Sequence, residues 1–448
     1  MKRDLTQGNI TRGLLLFALP LILGNLLQQF YNLADTWIVG RYIGDGALAA
    51  VGSSYTLMTF LTSILLGLCM GSSAYFAIQF GKRDWQALRQ GIFQSFVLIA
   101  LLTALLNTVI YIYIDEIIVL MHIPAEIVAL TKEYLLWVFA GIAATFFYNF
   151  YANLLRAVGD SLTPLIFLGI SVLLNVVLDY VFVVPLQKGV SGAAMATVIA
   201  QYISGISIII YSYLRFPLLR VGREHLRWNK QSLLSVCNLS LFTCLQQSVM
   251  NFGILMVQGL VNSFGTSVMA AFAVAVKIDT LAYMPAQDFG NAFSTFVAQN
   301  YGADKPQRIN RGVKSAVACV AVFCLAMGGL VALFARQLTS AFVRTSSQEV
   351  INIGAHYLHI EGSCYLGIGI LFLLYGYFRA VNRPLISVVL TVCSLGTRVL
   401  LAYTLSAVPA IGVTGIWVAI PIGWFFADAV GFVLWRRDDR KRMQIKAV

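Results

Sequence analysis

Charged residues are scarce in this sequence: Asp, Glu, Lys and Arg make up 11% of its 448 residues, whereas soluble globular proteins carry roughly 25%. Hydrophobic residues reach 59%, and the mean hydropathy is +0.80. A water-exposed surface cannot be built from this composition, which excludes an ordinary soluble multidomain protein. Apolar runs of about 20 residues recur along the whole chain instead, and each is long enough to cross a bilayer as a helix. The sequence therefore predicts a polytopic membrane protein.

The motifs of catalysis and of metal binding are also missing. The seven cysteines are scattered without a CxxC pair, which argues against a disulfide or zinc framework. There is no Gly-rich phosphate loop, HExxH or GxSxG sequence, and the four histidines are dispersed. We therefore predict neither an enzyme nor a cofactor. The net charge of +12 lies in short loops between apolar runs, so we also predict no nucleic-acid partner.

Twelve apolar segments are predicted to span the membrane as α-helices. They lie at approximately 13–40, 46–80, 90–114, 128–156, 162–186, 190–216, 232–264, 267–300, 312–335, 350–380, 384–407 and 411–435. The segments that connect the spans alternate between the two sides of the membrane. The set that includes both termini holds 24 Lys and Arg residues, whereas the set on the other side holds four. Because cytoplasmic loops are enriched in Lys and Arg, we expect a multi-pass protein of the cell membrane with both termini cytoplasmic. The apolar run after residue 12 is too long for a signal peptide, so we expect no cleaved signal.

The two halves of the chain resemble each other. Five short segments of the first half recur in the second at a nearly constant offset, close to half the chain length: 27–29 as 245–247, 79–81 as 300–302, 134–135 as 357–358, 156–158 as 379–381 and 189–192 as 412–415. Six spans per repeat give both halves the same orientation, as in transporters built from parallel repeats. We predict an all-α fold of two six-helix lobes with pseudo-two-fold 6+6 symmetry. The lobes are expected at 1–216 and 232–448, with a cytoplasmic linker at 217–231 and a short basic tail.

Carboxylates inside apolar spans are the main functional signal, because each costs about 2.5–3.5 kcal/mol at the bilayer centre. Asp35 lies late in span 1, and Asn175 and Asp179 share one face of span 5. Buried acids of this kind can exchange a proton, a sodium ion or an organic cation. The alternative is a static ion pair with Lys277 or Arg398. Asp279 is expected to form a structural pair with Lys277, two residues away, and Asp428, near the cytoplasmic end of span 12, is expected to be structural. For Asp288 and Glu361 a structural and a functional role are weighed equally.

Pro20 interrupts span 1 fifteen residues before Asp35. Proline removes a helix hydrogen bond and permits a bend. We therefore treat Pro20 as a candidate hinge that lets span 1 change shape when the carboxylate changes charge.

Several segments together resemble the multidrug and toxic compound extrusion (MATE) transporters over essentially the whole chain. They are 18–20 and 32–36 in span 1, 156–160 after span 4, 175–179 in span 5, 192–197 in span 6 and 299–303 after span 8. The resemblance implies two lobes around a central cleft. It also implies export of cationic, often aromatic drugs by alternating access, driven by inward H⁺ or Na⁺.

The resemblance also implies a coupling-ion site in the amino-terminal lobe. Its residues are similar to Asp35, Tyr134, Asn175, Asp179 and Thr197 here. If the ion is sodium, Asp35, Asn175, Asp179 and Thr197 would be its ligands, and the same oxygens suit a shared proton equally well.

Another branch of the family places carboxylates in spans 7 and 10, from which this chain departs. Span 7 offers only Gln246, Gln247 and Asn251, so carboxyl-terminal coupling is doubtful. Gln247, Asp288 and Glu361 remain candidates for lining the substrate cleft.

We predict a monomeric cation-coupled exporter whose partners are its cargo and membrane lipids. Three alternative functions were considered. A flippase for lipid-linked precursors, from the same superfamily, would need a strongly cationic cleft, whereas only Lys277 and Arg398 are embedded among six acids. A major-facilitator carrier would need a characteristic loop motif of acidic and basic residues between spans 2 and 3. Residues 81–84 are too short a match to that motif. A membrane enzyme would need a nucleophile or a metal cluster.

Overall fold

The protein is entirely helical in the part that its computed structural model describes, residues 4–121, 123–343 and 347–445. Some of the basic residues counted for the orientation, among them Lys2, Arg3, Arg344 and Lys446, lie outside these ranges, as does His122. The α-helices are α1 (Ile10–Tyr42), α2 (Asp45–Lys82), α3 (Trp85–Ile112), α4 (Ile114–Leu120), α5 (Val128–Ala140), α6 (Ile142–Ala157), α7 (Leu162–Val183), α8 (Gly189–Arg215), α9 (Lys230–Asn262), α10 (Thr266–Gly302), α11 (Pro306–Leu333), α12 (Ala335–Ser340), α13 (Gln348–Ser363), α14 (Tyr365–Ala380), α15 (Pro384–Ser406) and α16 (Thr414–Ile445). Short 3₁₀ turns lie at Ala125–Ile127, Pro217–Leu219 and Arg223–His225.

Ten of these helices are long and apolar enough to cross a membrane by themselves. The pairs α5–α6 and α13–α14, bent by 43° and 53° at their breaks, each reach that length together. Counting each bent pair as one span gives the twelve that the sequence predicts, within the described residues. Spans 4 and 10 are therefore broken helices, which the hydropathy pattern did not indicate.

The duplication is visible in the backbone, since helices α1–α8 are followed by α9–α16 with closely similar lengths. The break in span 4 at Gly141 corresponds to the break in span 10 at Cys364. Gly189 and Gly412, related by the same offset along the chain, both have positive φ, at 61° and 50°. These matches show that the repeat is structural and that, from span 4 of the first half onward, equivalent positions of the two halves share one offset.

The chain forms two compact units. We call residues 19–244 the N-unit and residues 5–18 with 245–448 the C-unit. The helices α1 and α9 are continuous, and each contributes to both units. The change of unit in α1 falls between Ala18 and Leu19, directly before Pro20.

Residues 5–8 pack onto α10 and α11 of the C-unit, which explains why the start of α1 belongs there. The Leu5 amide donates to Oε1 of Gln299 at 3.1 Å, and Asn300 donates back to the Leu5 carbonyl at 3.1 Å. Lys305 and Arg308 donate to further carbonyls within residues 5–8. Charge-assisted hydrogen bonds of this kind fix the segment that precedes α1 against α10 and α11.

Candidate functional site

All five residues predicted for the coupling site lie buried in the N-unit. Their exposed fractions are 8% for Asp35 on α1, 4% for Tyr134 on α5, 2% for Asn175 and 0% for Asp179 on α7, and 5% for Thr197 on α8. Four different helices therefore bring these polar side chains into one interior. We refer to this group, with Tyr31, as the N-unit cluster.

The α7–α8 contact positions three of these side chains. Asn175 and Asp179 are one turn apart on α7, so both point from the same face. Asn175 Nδ2 donates to Thr197 Oγ1 on α8 at 3.3 Å. The turn before Thr197 presents buried alanines, Ala193, Ala194 and Ala196, and small residues let membrane helices approach closely. The local sequence of α8 thereby brings its threonine within reach of α7.

Tyr31 completes the cluster and was missed in the sequence analysis. Its hydroxyl lies 3.0 Å from Thr197 Oγ1, and it interacts electrostatically with both Asp35 and Asp179. The signal was available, because Tyr31 precedes Asp35 by four residues and so shares its face of α1. Tyr31 links α1 to α8 through one hydroxyl.

Asp35 and Asp179 lie close enough for their charges to interact with each other. Both also interact with the hydroxyl of Tyr134. Within the described residues, neither carboxylate forms an ion pair with Lys, Arg or His. A static pair with Lys277 or Arg398, the alternative weighed from sequence, is therefore not what the structure contains.

The fully buried atoms of this cluster that lack a partner within the described residues are all acceptors. Among the described residues, Asp35 Oδ1, Asn175 Oδ1 and both carboxylate oxygens of Asp179 are buried and accept no hydrogen bond. A buried polar group left unsatisfied costs about 1–3 kcal/mol. Four acceptor oxygens with two negative charges favour a cation as their partner, and hard oxygen ligands suit Na⁺ as well as a proton.

The oxygen set differs from a transition-metal site. No group of three or more His, Cys, Asp or Glu side chains that could hold a metal ion occurs in the part of the chain that the structure describes. Amide and hydroxyl oxygens supply the remainder of the N-unit cluster, which matches a weakly held, exchangeable cation better than a resident metal.

An apolar core borders the cluster. Tyr134 packs in it together with Ile38 and Val39 of α1, Val183 of α7 and Val190 of α8. All five side chains are at most 5% exposed. This core keeps water from that side of the cluster and strengthens the electrostatic interactions within it.

The candidate cleft residues occupy different environments. Gln247 on α9 is half-buried, and Asp288 on α10 is 3% exposed. Glu361 on α13 is fully buried in the C-unit, where its charge interacts with those of Asp279 and Arg398. Glu361 therefore belongs to an interior cluster of the C-unit.

The expected pairing of Asp279 with Lys277 is wrong. Lys277 is exposed, whereas Asp279 is 5% exposed. Two residues correspond to about 200° around a helix, so neighbours at this spacing point in nearly opposite directions. The cation near Asp279 is Arg398 on α15.

Comparison with known proteins decides the family. The MatE family model matches residues 20–181 and again 240–404, once in each half of the chain. This chain belongs to the MATE family. The repeat recognised from short sequence segments is therefore the repeat of that family, and the chain is a membrane transporter of the MATE type.

Individual MATE relatives match over almost the full length. A probable multidrug resistance protein of Bacillus subtilis, YpnP, is 29% identical over 99% of this chain and 98% of its own. An FAD transporter of Shewanella oneidensis is 24% identical over 94% and 93%. A crystal structure of MATE in the bent conformation superposes with a TM-score of 0.93 at 23% identity, covering 99% and 98%. The last match shows that the fold is shared.

Proposed function

We propose that this MATE protein is an antiporter that exports organic cations in exchange for H⁺ or Na⁺ bound at the N-unit cluster. The observation that carries the proposal is the set of four buried acceptor oxygens on Asp35, Asn175 and Asp179 without donors among the described residues. Two carboxylates with no cationic side chain paired to them require a mobile cation for charge balance. In the sodium case Thr197 would add its hydroxyl oxygen as a further ligand.

Exchange follows if cation and cargo favour different conformations of the protein. Cation entry changes the charge at Asp35 on α1, and α1 passes from the N-unit to the C-unit just before Pro20. The bend that proline permits at this point gives the helix a place to change shape. The charge at Asp35 is thereby coupled to the segment of α1 that belongs to the C-unit.

We further propose that both termini lie in the cytoplasm, that the protein works as a monomer and that it catalyses no chemical conversion. The orientation rests on the 24-to-4 bias of Lys and Arg between alternate connections. Cationic cargo is proposed because embedded acids outnumber embedded bases. Gln247 and Asp288 are proposed cargo contacts. A flippase for lipid-linked precursors is not favoured by the comparisons.

Gradient-driven efflux from proteoliposomes tests the proposal. Purified protein is reconstituted with ethidium as a cationic cargo and with FAD, the cargo named for the Shewanella oneidensis relative, as an anionic comparison. We expect ethidium transport under a proton gradient alone or a sodium gradient alone, collapsing when an ionophore dissipates that gradient, and no transport of FAD. Ethidium fluxes that are equal with and without both gradients would contradict coupled antiport.

A further inference from the structure

The C-unit contains a second buried polar cluster that the proposed function does not use. Asp279 on α10, Glu361 on α13, Tyr365 on α14 and Trp417 on α16 are each at most 5% exposed. Arg398 on α15 is half-buried and interacts electrostatically with both carboxylates. Five helices thus converge on two acids and one base, which we call the C-unit cluster.

The unsatisfied atoms of this cluster are of both kinds. Among the described residues, both carboxylate oxygens of Glu361 are buried acceptors without a hydrogen-bond donor, and Arg398 Nε and Trp417 Nε1 are buried donors without an acceptor. Arg398 forms no direct ion pair with either acid in that part of the chain. Among the fully buried atoms of the N-unit cluster, by contrast, only acceptors lack a partner within the described residues. A bare metal ion satisfies acceptors alone, so it does not match the C-unit cluster.

The internal repeat explains the difference between the two clusters. The offset that relates Gly141 to Cys364 also aligns Tyr134 with Tyr357, and both are buried cluster tyrosines. The Tyr357 hydroxyl donates to Asp279 Oδ2 at 3.4 Å. The same offset aligns Asn175 with Arg398. In the N-unit this position is Asn175, whose amide oxygen can bind a mobile cation. In the C-unit it is Arg398, whose positive charge is part of the chain and cannot dissociate.

Charge balance then identifies the missing species. Two ionised carboxylates and one guanidinium carry a net charge of −1, which one proton from water neutralises by forming a carboxylic acid. A sodium ion would have to approach a fixed positive charge at close range, which is unfavourable in a low-dielectric interior. The donors and the remaining acceptors are then free to bind one another or water.

We propose that the C-unit cluster is a proton-binding site that excludes sodium, with Arg398 acting as its fixed counter-cation. The site is separate from the N-unit cluster, and the proposal is the same whichever ion that cluster exchanges. Its acids come from α10 and α13 and its base from α15. The chain therefore carries one cluster open to exchangeable cations and one reserved for protons.

Other titratable groups on the packed helices do not replace this role. Tyr283, Tyr357 and Cys364 interact electrostatically with the acids and remain uncharged donors, whereas Lys277, Arg336, His356 and His359 are exposed. Asp428 lies three turns beyond Trp417 on α16, too far along the helix to share the proton. The proton is therefore assigned to Asp279 and Glu361 as a pair.

Trp417 provides a reporter inside the cluster. It is fully buried, stacks on Phe272 with ring centroids 5.3 Å apart and meets Tyr357 edge-on at 5.1 Å. Its fluorescence is isolated by subtracting the emission of Trp417→Phe protein from that of the wild type. The purified full-length protein in detergent is titrated with pH in choline buffer and then, at constant pH, with sodium.

We expect the Trp417 signal to follow a single-proton titration and, in Asp179→Asn protein, whose N-unit cluster is disabled, to be unchanged by sodium. Glu361→Gln, or Asp279→Asn if the first variant does not fold, should abolish the titration. Arg398→Gln should make the signal respond to sodium. Asp179→Asn should leave the titration intact, which separates this proposal from that for the N-unit cluster. A signal that responds to sodium in Asp179→Asn protein, a wild-type signal that ignores pH, or a titration that is unchanged in Glu361→Gln protein would overturn the proposal.

Discussion

Asn in place of Asp179 is expected to reduce cation-driven efflux to the level of liposomes without protein, while the protein remains folded. Asp179 is fully buried, and neither of its carboxylate oxygens accepts a hydrogen bond within the described residues. The amide has nearly the same shape but no charge, so the N-unit cluster loses half of its attraction for a cation. Asp35→Asn should act in the same way, because the two charges belong to one cluster.

The matched control is Asp115→Asn, which makes the same chemical change at an exposed site. Asp115 pairs with Lys132 on the surface, and its side chain is 69% exposed. Exposed pairs contribute about 0–1 kcal/mol, so this variant should transport like the wild type. Efflux of ethidium from proteoliposomes and the size-exclusion profile are measured for all three variants. Wild-type efflux by well-folded Asp179→Asn protein would remove Asp179 from the coupling mechanism.

Pro20→Ala is expected to slow cation-driven efflux by about fivefold, equivalent to about 1 kcal/mol in the barrier of the conformational step. Alanine restores the helix hydrogen bond that proline cannot donate and stiffens α1. The position is selective because α1 changes from the C-unit to the N-unit directly before Pro20. Cation binding should be retained, since the N-unit cluster begins eleven residues later at Tyr31.

Pro285→Ala is the comparison for Pro20→Ala. Pro285 is also half-buried within a long helix, but α10 belongs wholly to the C-unit. Its replacement should alter efflux much less than Pro20→Ala does. The hinge hypothesis fails if Pro20→Ala protein transports at the wild-type rate, or if the two proline variants are slowed equally.

Much of the architecture could be predicted from sequence because it is encoded locally. Each span is a run of apolar residues, and the duplication left matching segments such as 156–158 and 379–381. The MatE family model and the helix order confirm the membrane fold and its repeat. The limits of the compact units could not be predicted, because they depend on where α1 and α9 pack along their length rather than on the loop at 217–231.

The clusters show the same contrast between local and tertiary information. Asn175 and Asp179 could be paired by their spacing on one helix, and Tyr31 could have been added to Asp35 by the same argument. Arg398 is far from Asp279 in sequence, so nothing local indicated that α10, α13 and α15 bring Asp279, Glu361 and Arg398 together. The nearby Lys277 was chosen instead, although its spacing places it on another face of α10.

The central claim is that Asp35 and Asp179 together hold an exchangeable cation, and equilibrium cation binding to the purified protein tests it without cargo or gradient. Sodium uptake is measured with radioactive sodium, and proton uptake with a pH indicator in weakly buffered detergent solution. The wild type is predicted to bind at least one cation per chain more than the Asp35→Asn/Asp179→Asn double variant, with Asp115→Asn matching the wild type. The account would be contradicted if the folded double variant bound as much sodium and as many protons as the wild type.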